Sequence, residues 1–417
     1  MKIIHIADLH LGKSVHGVSM LENGDQGYWV DRFLELAGQE RPDAVLIAGD
    51  VYDRSAPSGD AVTLLSRFLT GLSGMEIPVM MVAGNHDSVQ RLSFVNSLLA
   101  RQGIYISGAL TGDKEITHVT LHDEYGEVVF WLMPYVFPAL AAEALRKIDD
   151  SFSDSVKDSE SAVRALLQRQ PVDYKVRNVL IAHQNVTAGG ASPEQGGSET
   201  MVGGVGQIDY TVFDGFDYVA LGHIHAAYPV GRNTVRYAGS PLCYHFNETR
   251  QKAKGPVILE LSEKGSPVQI ETKIISPLHP MREIRGAYEE IVREELDRFR
   301  TGEYIRVVLT DRRISPEISS FFRDLCEKRD SILMELCSEY SQAHGETAAL
   351  TTSQVREKSV EELFEDFYTE RFDGEQPSEK DLSIMKFAGE QMRRADTGSA
   401  PDADQIERLL RELIGQQ

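Results

Sequence analysis

The sequence predicts a layered α/β fold, in which a mixed β-sandwich flanked by helices is followed by a smaller α/β unit and a helical tail. Two patterns predict this class. The first half of the chain alternates short apolar strand patterns with amphipathic helix patterns, as βαβ units do. Later strand patterns have fewer helices between them, which favours a mixed sheet or two packed sheets over a fully parallel sheet.

The first three predicted strands are short apolar runs that each end in a loop of Gly, Asp or Asn. They cover residues 2–7, 44–48 and 79–83. Between them, apolar residues recur at helical spacing around Phe33 and Phe68. In an open α/β sheet, loops beyond the carboxyl ends of the strands meet in one crevice. Residues after these strands are therefore expected to converge.

The middle of the chain continues the strand pattern with longer loops. Further strands are predicted at residues 128–135, 179–182, 218–221, 235–238 and 257–261. Residues 149–160 are rich in Ser and Asp, and residues 188–207 are rich in Gly. Both segments are expected to be loops.

The last third predicts a second, smaller α/β unit and then a tail. Helices and strands are expected to alternate at residues 287–300, 304–309, 315–327 and 332–336. Beyond residue 345 the chain is polar and acidic, with two apolar stripes at helical spacing. We therefore expect three parts, at residues 1–278, 279–345 and 346–417.

Composition excludes several classes of protein. No stretch approaches the roughly 20 apolar residues of a membrane-spanning helix, and the N-terminus lacks a secretory pattern, so a cytoplasmic protein is expected. The three cysteines form no CxxC pair, which argues against a disulfide framework or a thiolate zinc site. The net charge of −21 argues against a general electrostatic grip on nucleic acid, unless bound metal ions reverse the sign locally.

The most informative residues stand where predicted strands end. Five separate strand ends each supply carboxylate, imidazole or amide side chains, in the order Asp8, His10, Asp50, Asn85, His183, His223 and His225. This mixture, without thiolates, suits divalent manganese, iron or zinc. A glycine stands immediately before Asp50, Asn85 and His223, where it permits close backbone approach. The set therefore predicts a metal site.

Each of these motifs also has an ordinary structural interpretation. A single Asp-Leu-His or Gly-Asp is commonly a turn, and Gly-Asn-His-Asp is also typical of a hairpin turn. Gly-His-Ile-His is compatible with a buried strand whose histidines are satisfied by hydrogen bonds. The metal site is favoured because all five strand ends supply such residues together.

The ordered motifs DLH, GDVYD, GNHD, AHQ and GHIH resemble those of the calcineurin-like metallophosphoesterases. Within that superfamily, DLHLGK, AHQNVTAGG, DYVALGHIH and YAGSPLCYHFNE are similar to the SbcD family of nuclease subunits, which act in DNA double-strand-break repair. The resemblance implies a β-sandwich flanked by helices that binds two divalent ions, expected to be Mn²⁺. It covers nearly the whole chain, and its motifs are specific up to Glu248.

The resemblance also implies how the ligands divide. Asp50 would bridge two ions. One ion would be held by Asp8, His10 and His225, and the other by Asn85, His183 and His223. Two such ions activate a water molecule and stabilise the charge that develops on the phosphate.

Three residues near the ligands receive auxiliary roles. His86 would not bind metal but would donate a proton to the leaving sugar oxygen, because imidazole titrates near neutral pH. Some relatives carry a second histidine at the position of Asp53, so the role of Asp53 stays open. Asp87 would orient His86 from behind the site.

Substrate and partners are implied by the resemblance alone. It implies double-strand exonuclease activity and endonuclease activity on single strands and hairpins, with an SbcC-type coiled-coil ATPase docked on the tail. The nuclease subunit would form a homodimer within a heterotetramer, and the small α/β unit would cap DNA. The candidate DNA contacts are Lys13, Arg54, Arg91, Arg250, Lys252 and Lys254. The alternatives are a stand-alone phosphoesterase acting on a small phosphodiester or a phosphoprotein, and a non-enzymatic scaffold.

Overall fold

The computed structural model describes residues 1–108, 116–139, 141–142, 156–189, 206–250, 254–294, 298–340 and several positions between 364 and 386. The strands are β1 (Lys2–Ile6), β2 (Ser14–Val15), β3 (Val18–Ser19), β4 (Ala44–Ala48), β5 (Val79–Val82), β6 (Ile104–Ser107), β7 (Thr117–Asp123), β8 (Gly126–Met133), β9 (Arg177–His183), β10 (Val186–Thr187), β11 (Ile208–Asp209), β12 (Tyr218–Gly222), β13 (Tyr228–Val230), β14 (Arg232–Tyr237), β15 (Val257–Glu260), β16 (Gln269–Thr272), β17 (Met281–Gly286), β18 (Tyr304–Leu309) and β19 (Ile332–Ser338). The α-helices are α1 (Asp25–Glu40), α2 (Gly59–Gly74), α3 (Val89–Leu92), α4 (Asn96–Leu99), α5 (Ser159–Gln168), α6 (Tyr288–Arg293) and α7 (Pro316–Glu327). Short 3₁₀ helices cover Ala100–Gln102, Tyr210–Phe213 and Phe246–Arg250.

The first large sheet has the strand order β16-β15-β1-β4-β5-β6. Its four strands from β1 to β6 are parallel, and β15 and β16 are antiparallel to their neighbours. Side chains alternate between its faces, so Ile4 and Ile6 pack with the residues of α1 and α2, while Ile3 and Ala7 face the opposite way.

The second large sheet has the order β13-β14-β12-β9-β8-β7, with a parallel centre and antiparallel edges. One face packs with Val163 and Leu166 of α5. The other packs against the first sheet in a shared core that includes Leu46, Phe130 and Ile181. The predicted mixed β-sandwich flanked by helices is therefore confirmed.

The small sheet has the parallel order β17-β18-β19, and its own core includes residues of α6 and α7. It is fastened to the N-terminus of α1, where the Tyr304 hydroxyl donates to Asp25 Oδ2 at 2.5 Å and His279 Nδ1 lies 3.0 Å from Asp25 Oδ1. Residues Met1–Glu339 form one compact unit, and Tyr340–Gln417 form a second. The predicted boundary between residues 278 and 279 falls just before β17 and stays a prediction.

Two predicted segments differ from the structure. Residues 159–160, predicted as loop, begin α5, because Asp158 caps this helix by accepting a hydrogen bond from Ser161 N at 2.8 Å. The helix predicted at residues 287–300 is described only as α6, and residues 295–297 lie outside the described part. Most of the predicted tail also lies outside it. Within the described residues, no helix combines the length and apolarity that crossing a bilayer requires.

Candidate metal centre

The predicted ligands come together where the two large sheets meet. Asp8 and His10 follow β1, Asp50 follows β4 and Asn85 follows β5, and these three strands are parallel neighbours. On the second sheet, the ligands stand at the ends of the parallel neighbours β9 and β12, and they are His183, His223 and His225. The carboxyl ends of both sheets therefore supply one cluster, as the strand-end pattern predicts.

The backbone at the cluster adopts positive φ angles, which residues other than glycine rarely adopt. Four of the predicted ligands have a positive φ, namely Asp8 (54°), His10 (44°), Asp50 (46°) and His223 (104°). Hydrogen bonds between neighbouring loops hold them, from Asp8 N to Gly49 O at 3.1 Å and from His10 N to Asp50 O at 2.9 Å. Such strain persists where the surrounding structure fixes it, and it is concentrated at functional sites.

Two glycines let these loops approach each other. A Cβ atom on Gly84 would lie 2.0 Å from Asp50 Oδ1, and one on Gly222 would lie 1.8 Å from Ala48 O. Neither distance leaves room for a side chain. The predicted need for glycine before Asn85 and His223 is therefore confirmed.

The side chains form two groups with Asp50 between them. His10 Nε2 lies 3.1 Å from His225 Nε2, and Asn85 Oδ1 lies 3.1 Å from His183 Nε2 and 3.2 Å from His223 Nδ1. Asp50 Oδ2 lies 3.6 Å from His10 Nε2 and 3.3 Å from His183 Nε2. This grouping agrees with the ligand division that the family resemblance implies except at Asp8, whose Oδ1 lies 3.7 Å from His183 Nδ1. The division stays a prediction.

Ligand atoms of Asp8, Asp50 and His183 lie within 4.8 Å of one another, and so do those of His10, Asp53 and His86. Asp53 Oδ1 is 3.5 Å from His10 Nδ1. The carbonyl oxygen of Asp53 is 3.0 Å from His86 Nδ1. Asp53 therefore connects His10 to His86.

Burial sets the charge of most ligands. It lowers the pKa of His10 and His225, and it lowers the pKa of His223 to about 3, which leaves these imidazoles neutral as metal ligands must be. Burial raises the pKa of Asp8 to about 7. At His183, burial opposes the charged form, but the Asp50 carboxylate outweighs it and raises the pKa to about 10.

Hydrogen bonds within the cluster leave some of its buried polar atoms unsatisfied, and divalent cations would satisfy them. Asp8 Oδ2 and His223 Nε2 are buried and have no hydrogen-bond partner among the described residues. Buried polar atoms without partners are costly and rare. Bound cations would satisfy both atoms and replace the proton on His183, and carboxylate, imidazole and amide donors together suit Mn²⁺, Fe²⁺ or Zn²⁺.

Two supporting residues were not predicted from the sequence. Glu248 is 1% exposed, lies 3.1 Å from His225 Nδ1 and accepts a hydrogen bond from Lys254 Nζ at 2.8 Å. Gln26 on α1 donates to His10 O at 2.8 Å and accepts from Gly12 N at 2.9 Å. Glu248 lies within a motif quoted above, whereas no local pattern marks Gln26 among the other residues of its helix.

Asp87 supports the loop and not the His86 ring directly. Its carboxylate accepts hydrogen bonds from the backbone N–H groups of Gly84, Val51 and Tyr52, at 2.9, 3.1 and 2.9 Å. It thereby ties the loop that carries His86 to the loop after β4. The His86 side chain instead contacts the Asp53 carbonyl.

The six predicted DNA contacts divide by exposure. The side chains of Arg54 and Arg250 are 81% and 74% exposed, and Arg91 is exposed. Lys13 is bound to Asp53 at 2.7 Å. Lys252 lies outside the described residues.

Lys254 does not fit its predicted role as a DNA contact. Its side chain is 11% exposed, and its Nζ donates to Glu248, to His225 O at 2.8 Å and to Ser240 Oγ at 2.7 Å. A lysine ammonium has three donor hydrogens, so these three acceptors use all of them. The placement is that of a support for His225.

Comparisons with known proteins identify the protein family. Residues 1–227 match the family model described as calcineurin-like phosphoesterase. Residues 277–372 match the SbcD C-terminal model, described as a type 5 capsule protein repressor C-terminal domain. The SbcD subunit of the nuclease SbcCD from Staphylococcus saprophyticus is 35% identical over 302 residues, which cover 71% of this chain and 75% of that protein. The crystal structure of TT1561 of Thermus thermophilus superposes with a TM-score of 0.34 and 12% identity, over 65% of this chain and 98% of that one.

The first family model covers β1 to β12 of the two large sheets, and the second covers the small sheet. They agree with the resemblance drawn from the motifs, and with the Staphylococcus relative they make the chain a metal-dependent hydrolase of phosphodiester bonds. The chain belongs to the calcineurin-like phosphoesterases and, among them, to the SbcD family of nuclease subunits.

Proposed function

We propose that this chain cleaves DNA with two divalent ions, Mn²⁺ in the working enzyme, as an exonuclease on duplex ends and an endonuclease on single strands and hairpins. The observation that carries the proposal is the pair of buried, unpartnered ligand atoms, Asp8 Oδ2 and His223 Nε2, within a cluster of further donors. Among the described residues, the cluster leaves these two atoms without partners unless cations bind.

The ligand assignment is the one that the family resemblance implies, and the contacts of His10 with His225 and of Asn85 with His183 and His223 support it. One ion would be held by Asp8, His10 and His225, and the other by Asn85, His183 and His223. Asp50 would be a ligand to both, which its position between His10 and His183 supports. When bound, such ions supply a nucleophile from water at neutral pH and neutralise charge on the phosphate oxygens.

His86 supplies the proton that the leaving sugar oxygen needs. Its backbone N–H donates to Asp50 Oδ1 at 3.0 Å, which holds the residue beside the ligands, while its side chain is exposed. A hydrogen bond from Nδ1–H to the Asp53 carbonyl keeps the proton on Nδ1. Nε2 is then the nitrogen that gives up a proton to substrate and regains it from solvent.

Residues around the cluster orient the ligands and meet the DNA. Glu248 fixes the ring of His225 through Nδ1, and Lys254 holds Glu248 in place. Asp53 and Lys13 support His10. The exposed residues Arg54, Arg91 and Arg250 are the candidates for phosphate contacts.

The proposed assembly with partner subunits rests on the family to which the chain belongs. The name of the Staphylococcus saprophyticus relative describes it as one subunit of a nuclease complex. We assign residues 279–345 to the capping of DNA and residues 346–417 to the docking of an SbcC-type ATPase. A second copy of the chain would pack near α3 and α4, where Phe94 and Leu98 are 73% and 59% exposed.

The test is incubation of the full chain with end-labelled blunt duplex and hairpin DNA in Mn²⁺, with and without the ATPase subunit and ATP. The expected result is shortening of the duplex from its ends and opening of the hairpin. Turnover of a small phosphodiester without cleavage of either DNA under any condition would contradict the proposal and favour a stand-alone phosphoesterase.

A further inference from the structure

Two aromatic residues leave the second sheet beside the candidate metal centre. Tyr135 and Phe137 follow the carboxyl end of β8, which is the parallel neighbour of β9 and so ends on the same side as His183. The backbone N–H of Tyr135 donates to Ala83 O at 2.9 Å. This bond ties the aromatic segment to the start of the loop that carries His86.

The Tyr135 ring covers part of the cluster. Its centroid lies 6.2 Å from that of His183 and 6.1 Å from that of His223. Phe137 continues the aromatic surface outward, since its ring lies 4.6 Å from that of Tyr135 and the residue is 46% exposed. Single exposed apolar side chains are common on protein surfaces, so exposure alone carries no function. Phe137 differs because it is joined through one ring to two candidate metal ligands.

We propose that Tyr135 and Phe137 form a stacking platform for one unpaired nucleobase next to the phosphate that is cut. The proposal rests on the nuclease function proposed above. A base is one sugar away from its phosphate, so a base near the cut phosphate falls beside the ligands, where these rings lie. Bases stack on aromatic side chains whatever their identity, because every base has a π-face.

Charge explains why stacking suits this protein. The chain carries a net charge of −21, so its surface as a whole repels phosphates. Stacking on an aromatic ring requires no positive charge. It requires a base that is not already stacked in a duplex, and single strands and hairpin loops offer such bases. The platform would therefore favour unpaired DNA over blunt duplex ends.

The test compares Phe137→Ala with wild type in the full chain with Mn²⁺, on a hairpin, on a blunt duplex and on bis-p-nitrophenyl phosphate. We expect kcat/KM on the hairpin, relative to the small diester, to fall about five- to hundredfold, the range of one lost base stack. Phe137→Trp should restore most of the ratio. Tyr125→Ala is the matched control, because Tyr125 is 48% exposed and precedes β8 at its opposite end.

A hairpin with abasic residues flanking the cut site makes the test specific for the base. Wild type should lose rate on this substrate, and Phe137→Ala should lose no more. The platform would be overturned if Phe137→Ala kept the wild-type ratio of kcat/KM on the hairpin to kcat/KM on the small diester. It would also be overturned if the substitution reduced the rate on the abasic hairpin as much as on the ordinary hairpin. A variant that cuts the hairpin normally alone and loses only stimulation by the ATPase would overturn it too, since Phe137 would then contact that protein. If wild type cuts no DNA at all, the proposed function fails instead.

Discussion

The floor and the rim of the site are built differently. The floor (Asp8, His10, Asp50, His183, His223 and His225) is at most 8% exposed. The rim (Arg54, His86, Arg91 and Phe137) stands in loops and in the short helix α3, and it is exposed. Backbone hydrogen bonds and strained φ angles fix the floor, whereas in the rim His86 is held through Asp50 and Asp53, and Phe137 packs on Tyr135.

This difference suggests a division of labour. A buried, rigid set of donors suits ions that demand fixed geometry, and an exposed set suits a polymer that must enter and leave. Changes in the floor should therefore abolish metal binding and cleavage together. Changes in the rim should leave the metals bound and alter turnover or DNA binding.

The largest effect is expected from Gly84→Ala. The new Cβ would overlap Asp50 Oδ1, so the loop or the carboxylate must move. We expect Mn²⁺ binding and DNA cleavage both to fall to background, while overpacking costs about 1–3 kcal/mol of unfolding free energy. Calorimetric Mn²⁺ titration and thermal unfolding measure the two effects. The control is Gly59→Ala, since a Cβ there meets no atom within 4 Å. Normal metal binding by Gly84→Ala would contradict the rigid floor.

The next largest effect is expected from His86→Ala. Without a proton donor, turnover on DNA should fall about 10²- to 10⁴-fold while bound Mn²⁺ stays at the wild-type level. The loss should be much smaller on a p-nitrophenyl diester, whose leaving group needs no proton. If His86→Ala cleaved DNA at the wild-type rate, His86 would not be the proton donor. If the variant lost its metal, His86 would belong to the floor and not to the rim.

A smaller effect is expected from Glu248→Gln. The amide keeps the shape but loses the charge that orients His225 and pairs with Lys254. Mn²⁺ affinity should fall about 10- to 100-fold, and excess Mn²⁺ should restore cleavage. The exposed Glu260→Gln serves as the control. Equal affinities in both variants would show that Glu248 does not support the floor.

The smallest effect is expected from Arg54→Ala. Loss of one phosphate contact should weaken DNA binding slightly and reduce the slope of log K against log salt concentration by about 1. Fluorescence titrations at several salt concentrations measure the slope. Arg164→Ala on α5, at the outer face of the second sheet, is the control. An unchanged slope would remove Arg54 from the DNA contacts.

Sequence patterns predict the floor better than the rim, for a physical reason. Apolar runs fix the strands, and strands that share a direction bring Asp8, Asp50 and His183 to one place. The platform of Tyr135 and Phe137 was not predicted, because Tyr135 falls at the end of a predicted strand and Phe137 looks like an ordinary aromatic residue after it. Only their distance from the ligands distinguishes them.

Through-space partners account for the other differences. Lys254 looks like a basic residue in a motif loop, but burial beside Glu248 makes it a support and leaves no donor for DNA. Gln26 sits in an amphipathic helix whose apolar face predicts its burial but not its bond to the His10 carbonyl. Such roles depend on chain segments that meet only after folding.

The central claim is that the floor holds two ions that cleavage requires. Titration of wild type and Asp50→Asn with Mn²⁺, with cleavage of labelled DNA measured in the same samples, tests it most directly. The account predicts two Mn²⁺ per wild-type chain, weaker and incomplete binding in Asp50→Asn, and no cleavage by that variant. Wild-type protein that cuts DNA with one ion or none, or Asp50→Asn that cuts at the wild-type rate, would contradict it.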